Sequence, residues 1–335
     1  MPGKVSVFVR VRPLVGRESH PVIAINEEEN EVTCSPTSET QVMKEELKLD
    51  YGFQFERVFG EKSTIESIYR LSLSHLIKDF MAGHNASVFC CGNATSGKTQ
   101  TIFGEFPREE GLLSRIAQDL FARDDLSYED VKVHISVVEI SHSGGVVDLL
   151  EAWPRPTGDV ISHEVLVRTA KEFRAVVNHA QRERCVNISI NNEKALHGVR
   201  SSAVVRVHRW ERVQVKGKEK IRHSALCVVD LAGSVVYEGS IPDMATLKEM
   251  TYINNVHTSI QYALRAVEEE KQPMETIVTG SPLLQYIEQC IIPNRGRKAR
   301  SVLIGTVSPD NTQANNSLQT LRYLERAFHL SKRIV

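Results

Sequence analysis

Gly92-Asn93-Ala94-Thr95-Ser96-Gly97-Lys98-Thr99 has the spacing G-x-x-x-x-G-K-[ST]. Each residue type in it suits phosphate chemistry. The glycines let backbone N–H groups close around phosphate oxygens, the Lys98 ammonium can reach β- and γ-phosphates, and the Thr99 hydroxyl can ligate Mg²⁺. A second landmark lies downstream at Val228-Val229-Asp230-Leu231-Ala232-Gly233. An apolar strand ending in Asp can hold a Mg²⁺ water, and the Gly233 N–H can sense a γ-phosphate. Asp at a strand end is also a common turn or cap residue, so the second signal gains its weight from the first.

Those residues need a frame. Ala86 to Cys91, just before the loop, is an apolar run that reads as a buried strand. Thr99 to Phe103 opens a helix whose N-terminal dipole favours anions. Val5 to Val11 alternates with period two, a strand, and Gln54 to Phe59 is a second short one. Ser63-Thr64-Ile65-Glu66 has the spacing of a capping box, and Ile65, Ile68, Tyr69, Leu73, Leu76 and Ile77 carry the helix after it. A helix follows around Leu112 to Phe121. Val131–Ile140, Ala203–His208, Ala225–Leu231 and Ser301–Val307 read as strands. Ala245–Glu270, Pro282–Cys290 and Asn315–Arg333 fit helices. This alternation predicts a wound α/β sheet with ligand at the carboxyl ends of its strands. No repeat, low-complexity tract or Pro/Gly-rich linker interrupts the chain, so one continuous domain over residues 1–335 is expected.

Composition narrows the partners. The 335 residues are 41% hydrophobic and 25% charged, ordinary for a globular α/β protein. A formal net charge of −1 gives no global basic field toward nucleic acid or anionic lipid. No run of 18 apolar residues suggests a membrane span. Met1-Pro2-Gly3-Lys4-Val5 leads straight into strand pattern, so no signal peptide is expected. The six cysteines (34, 90, 91, 185, 227, 290) lack C-x-x-C spacing and read as buried free thiols, not metal ligands.

Val9-Arg10-Val11-Arg12-Pro13, Phe53 to Phe59, the Gly92–Thr99 loop with Thr101, and Asp230-Leu231-Ala232-Gly233-Ser234 together resemble the kinesin motor domain. They occur in the order that family uses. Glu139-Ile140 with Val147-Asp148-Leu149-Leu150 is similar to its E-I-Y-N-E-x-V-x-D-L-L region, Gly198–Ala203 to its S-S-R-S-H-A switch, and Ile253-Asn254-Asn255 to its I-N-K-S-L helix. Leu321 to Ile334 resembles its last helix. Asn85-Ala86-Ser87-Val88 and Arg200–Arg212 lean toward the chromokinesin branch. The resemblance implies a three-layer α/β/α phosphate-loop NTPase fold around a central mixed eight-stranded sheet. It implies ATP or ADP with Mg²⁺ at Gly92–Thr99, metal contacts from Thr99 and Asp230, and adenine and ribose against Arg10 and Pro13. Arg200, Ser201 and Gly233 take the catalytic switch positions. It also implies tubulin or microtubules as partner, and a cytoplasmic, cytoskeleton-associated location with spindle or nucleus open. Cargo or a dimer partner would act through regions outside this chain. Without the resemblance, Arg10 and Arg12 read as outward residues of an edge strand.

The departures from the family pattern carry the sharper expectations. D-L-A-G-S-E ends in Val235 here, and Val235 can neither accept a proton nor pair with Arg200. The two switch serines are Gly198 and Val199, so the hydroxyl expected near Mg²⁺ is missing. Hydrolysis is therefore expected to be slow or lost. On the polymer side, the basic residues of P-Y-R-x-S-K-L-T-R-L-L become Thr279, Pro282 and Gln285, with Glu268-Glu269-Glu270 upstream. Microtubule surfaces are acidic, so weak binding is expected; Lys248 is retained. Arg295, Arg297, Lys298 and Arg300 form the most basic patch, in a helix-to-strand loop. His142, Trp153-Pro154 and Trp210 read as loop or packing residues. An active ATP-driven motor and a non-motile nucleotide-binding scaffold with little microtubule affinity are the alternatives. An unrelated phosphotransferase is disfavoured, because no substrate lid is evident.

Overall fold

The computed structural model describes residues 4–14, 21–36, 50–105, 108–122, 130–141, 145–151, 164–191, 201–234, 243–268, 281–293 and 298–332. In chain order the elements begin with β1 (Lys4–Val11), β2 (Ile23–Asn26), β3 (Glu31–Cys34), β4 (Tyr51–Gln54) and β5 (Arg57–Phe59). They continue with α1 (Ile65–Ile68), a π-turn at Tyr69–Leu73, α2 (Ser74–Met81), β6 (Asn85–Cys91), α3 (Lys98–Phe103), β7 (Gly104–Glu105), β8 (Glu109–Glu110) and α4 (Leu112–Leu120). Next come β9 (Val131–Ile140), β10 (Val146–Asp148), β11 (Val165–Val167), α5 (Ala170–Asn191), β12 (Ser202–Val215) and β13 (Lys218–Asp230). The chain finishes with α6 (Met244–Glu268), α7 (Pro282–Ile291), β14 (Ala299–Val307) and α8 (Ala314–Lys332).

The central sheet runs β10-β9-β12-β13-β6-β14-β1-β5, with β11 as a short ninth strand on β9. Its two halves differ. From β13 through β6, β14 and β1 to β5 every pairing is parallel, and from β10 through β9 and β12 to β13 every pairing is antiparallel. The expected mixed eight-stranded sheet is thus the main path, and helices cover both faces.

Strand periodicity builds the layers. Val9, Phe89, Cys91 and Val229 point to the face that carries α6, α7 and α8, where they pack with Ile260, Ile287, Leu321 and Leu324. Their neighbours Phe8, Val88, Cys90 and Val228 point to the opposite face and pack with Phe80, Ile116 and Phe173 of α2, α4 and α5. Every residue of β6 is buried, as expected of a central parallel strand.

Several boundaries differ from the sequence reading for physical reasons. The N-cap of α1 is Thr64, whose side chain accepts from the Ser67 N–H, one residue later than the Ser63–Glu66 spacing suggests. The stretch Gln54–Phe59 holds the last residue of β4 (Tyr51–Gln54) and all of β5 (Arg57–Phe59), which lie in different sheets. β12 and β13 extend past the core into a long hairpin, beyond the apolar limits of Ala203–His208 and Ala225–Leu231, because ladder pairing continues to Val215 and Lys218. β1 is not an edge strand; it lies between β14 and β5, and Arg10 is buried. Arg300 lies in β14, not in a loop, and pairs with Asp79 at 2.8 Å. β2, β3, β7, β8, β11 and α5 had no sequence counterpart, and β10 had one only in the Val147–Leu150 resemblance.

Candidate nucleotide site

The phosphate loop leaves β6 at Cys91 and enters α3 at Lys98, one residue before the expected helix start. Gly97 caps α3 with φ of +100°, a region that costs a side-chain-bearing residue roughly 1 kcal/mol or more. Thr95 also takes positive φ, 63°. Ser96 is fully buried and fixes the loop from within, its hydroxyl bonded to Asn93 O at 2.8 Å and sharing a hydrogen with Thr306 Oγ1 at 2.7 Å. The Lys98 ammonium donates to Asn93 O at 2.7 Å. Burial lowers the Lys98 pKa, while nearby Asp230 opposes that shift.

Asp230 ends β13 facing Thr99. The Thr99 hydroxyl donates to Asp230 Oδ2 at 2.6 Å, and Arg184 Nη1 donates to the same oxygen at 2.6 Å. Arg184 also reaches Glu139 (3.5 Å, Nε to Oε1) and donates to Ser201 O at 3.2 Å. The Ser201 hydroxyl donates to Glu139 Oε1. One buried guanidinium therefore ties together three segments: the end of β9, the residue before β12 and the end of β13. Two buried carboxylates need such a partner, because an isolated buried charge costs several kcal/mol.

Gly233 comes close to the loop. A Cβ there would lie 2.8 Å from Ala94 N, and Ser234 N donates to Gly92 O at 3.1 Å. The turn after Asp230 is thus fastened to the phosphate loop by backbone.

Thr99 and Asp230 suit Mg²⁺: a hydroxyl oxygen beside a carboxylate whose Oδ1 is buried without a hydrogen-bond partner. Arg10 is buried, donates to Thr101 Oγ1 at 2.6 Å, and braces α3 from β1. Burial lowers its pKa, with Glu109 opposing. Pro13 is exposed near the same loop, where Gly97 lies against Arg12. Of the expected site residues, Gly92 to Thr99, Asp230, Ser201, Gly233, Arg10 and Pro13 border one region. Gly198, Val199, Arg200 and Val235 lie outside the described residues, as do Thr279, Glu269, Glu270, His142, Trp153, Arg295 and Arg297. Pro282 is the first residue of α7 behind an N-cap from Ser281, Gln285 is exposed on α7, and Lys248 is exposed on α6.

Arg184 was not among the expected site residues. The sequence does carry its signal: Phe173, Val176, Val177 and Ala180 form a helical stripe, and Arg184 continues that face. Thr169 accepts from the Glu172 N–H at 3.1 Å while Glu172 reaches back to the Arg168 N–H at 2.7 Å, a reciprocal cap at the start of α5.

A glycine-rich loop between a central parallel strand and a helix, faced by an aspartate at the end of the next strand, defines the phosphate-loop nucleotide-binding class of α/β proteins. Within that class the kinesin motor domain model matches residues 10–330, so the chain belongs to the kinesin motor domain family. It is 28% identical over 337 residues to human kinesin-like protein KIF24, covering 99% of this chain and 24% of that protein. It is 28% identical over 349 residues to rice kinesin-like protein KIN-14A, covering 97% of this chain and 33% of the relative. The chain therefore spans about a quarter to a third of these relatives. Its fold is similar to a solved fast kinesin, with a TM-score of 0.74 at 22% identity, covering 97% of this chain and 91% of that one.

Proposed function

We propose that this chain is a single motor-type domain that binds Mg-ATP or Mg-ADP, hydrolyses it slowly or not at all, and binds microtubules weakly. The observation that carries the binding half is the Lys98–Thr99–Asp230 arrangement beside a complete phosphate loop. Lys98 would trade its bond to Asn93 O for β- and γ-phosphate oxygens. Thr99 and Asp230 Oδ1 would hold the metal, whose role when bound is to neutralise charge on the transferring phosphate.

The hydrolysis half rests on which groups are engaged. Phosphoryl transfer depends on positioning and charge placement. The two carboxylates that the contacts place at the loop, Asp230 and Glu139, are both held by Arg184, and Glu139 also accepts from Ser201. Neither is a free base. The position where the family carries a glutamate is Val235, and Val199 lacks a hydroxyl for the metal. Arg10 acts here as a brace for α3, with Pro13 left to meet the nucleoside.

Microtubule binding is weak in this reading because Pro282 and Gln285 replace basic residues on α7. The exposed face of α6 offers Met244, Leu247, Asn254 and Tyr262 beside Lys248 and Arg265. A cytoskeletal location follows if that binding survives in cells. The test is gain of function: Gly198→Ser, Val199→Ser and Val235→Glu combined should raise ATP turnover by more than the three single effects multiplied. Additive or absent gains would show that the defect lies elsewhere.

A further inference from the structure

His257 of α6 is buried, and its Nε2 lies 3.1 Å from the Ala232 carbonyl oxygen, between Asp230 and Gly233. A carbonyl only accepts, so Nε2 carries the hydrogen. Burial pushes the His257 pKa down to about 4, so the ring is neutral near pH 7. The ring also meets Tyr323 of α8 edge-on, with centroids 5.3 Å apart. The Tyr323 hydroxyl donates to His257 O at 3.0 Å, and Gln261 Nε2 donates to Tyr323 O at 2.8 Å. Beside this junction is a cavity of about 10 Å³ lined by Ser202, Ala232, Tyr252, Ile253, Val256 and His257, among others. The Tyr252 hydroxyl at this junction is buried without a hydrogen-bond partner. Directed bonds add to packing in holding the turn after Asp230. Other bonds on that turn, among the described residues, include Leu231 N to Cys90 O, Ala232 N to Ser202 Oγ and Ser234 N to Gly92 O.

We propose that His257 is a positioning residue: it latches the Ala232 carbonyl, holds Gly233 and Ser234 against the phosphate loop, and ties that turn through Tyr323 to α8. The loop is joined to the same end of the chain a second time, since Asn93 Nδ2 donates to Gln313 Oε1 just before α8 at 2.7 Å. The latch and the loop contact thus bracket the nucleotide site from two points near one helix. A neutral donor suits this place, because Lys98 already puts a positive charge nearby. The consequence for nucleotide rests on the proposed function above; the latch itself does not.

The experiment is amide hydrogen exchange on the nucleotide-free chain, comparing wild type with His257→Leu and His257→Gln. Leu keeps the apolar volume and removes the donor, whereas Gln restores an N–H at a similar reach. The Gly233 and Ser234 amides should exchange about fivefold or more faster in His257→Leu, and residues 314–332 should loosen with them. His257→Gln should return both toward wild type, which a merely space-filling role would not do. Unchanged exchange in a folded His257→Leu, or a Gln variant that behaves like Leu, overturns the latch. If His257→Leu fails to fold, Tyr323→Phe replaces it: faster Ser234 exchange supports the proposal and unchanged exchange refutes it. Release of a fluorescent ADP analogue should also be about fivefold faster in His257→Leu. If wild type binds no such analogue, the nucleotide reading fails while the amide data still decide the latch.

Discussion

The phosphate loop and the carboxylate cluster that faces it are built in opposite ways. The loop draws its shape mostly from within: short-range bonds such as Ser96 to Asn93 O, Lys98 to Asn93 O and Thr101 to Gly97 O set it, and Thr306, Gln313 and Arg10 brace it from outside. The cluster is long-range. Arg184 gathers Glu139 from β9, Ser201 from just before β12 and Asp230 from the end of β13. A local site survives drift elsewhere in the chain. A gathered site changes when any one contributor changes, so substitution anywhere among Glu139, Arg184, Ser201 and Asp230 reaches the whole cluster.

The largest effect should come from the loop. Lys98→Ala removes the charge that balances the β/γ-phosphates and should reduce nucleotide affinity by about 100-fold or more by calorimetry. Its effect on the melting temperature should be smaller, because the hydrogen bond that Lys98 makes among the described residues is to a loop carbonyl. Arg184→Ala should do the reverse. It strands two buried carboxylates and should destabilise the fold by about 3–5 kcal/mol in urea titration. A small loss there would mean that Asp230 and Glu139 find other partners.

Gly233→Ala probes the seam between the two regions. Its Cβ would sit 2.8 Å from Ala94 N, so the turn must lift from the loop. A cost of about 1–3 kcal/mol is expected, with weaker nucleotide binding. If stability and affinity both hold, the seam opens without penalty.

Acid should test two buried histidines next: His257 behind the turn after Asp230, and His208 of β12, stacked with Trp210 and His223. Burial lowers the pKa of His257 to about 4 and of His208 to about 3, below the ordinary value of 6.5. The unfolded chain therefore takes up protons first as pH falls. Stability is fully present above pH 6.5 and is lost progressively toward pH 4 for His257 and pH 3 for His208. Each contributes up to about 1.4 kcal/mol per pH unit in its window. His257→Gln and His208→Gln should each flatten the melting temperature between pH 6.5 and 4. The smallest effect is on the polymer face. Gln285→Arg should strengthen microtubule cosedimentation only a few-fold, and the gain should vanish as salt is raised.

What the sequence made legible follows the same division. The loop, β6 and the Asp230 strand end could be read because their chemistry is written in consecutive residues. β1, β9 and β14 were legible because alternation or a continuous apolar run matched burial. α5 was missed although Thr169, Glu172 and the Phe173–Ala180 stripe mark it, since its second half is interrupted by Arg182, Glu183 and Arg184. Arg184 is charged yet buried, and only the cluster it completes explains that. β2, β3 and β10 are three or four residues long and pair across turns, so periodicity has too few positions to act on. The Ser63 box misled by one residue because Thr64 offers an equivalent hydroxyl.

The central claim is that nucleotide is held without being turned over. Steady-state ATP hydrolysis with and without microtubules, on the same sample whose Mg-ADP binding is titrated, tests it most directly. Saturable binding with turnover below about 0.1 s⁻¹ in both conditions is expected, against about 1–10³ s⁻¹ for ordinary enzymes. Microtubule-stimulated turnover within that ordinary range would contradict the account and make this chain a working motor domain.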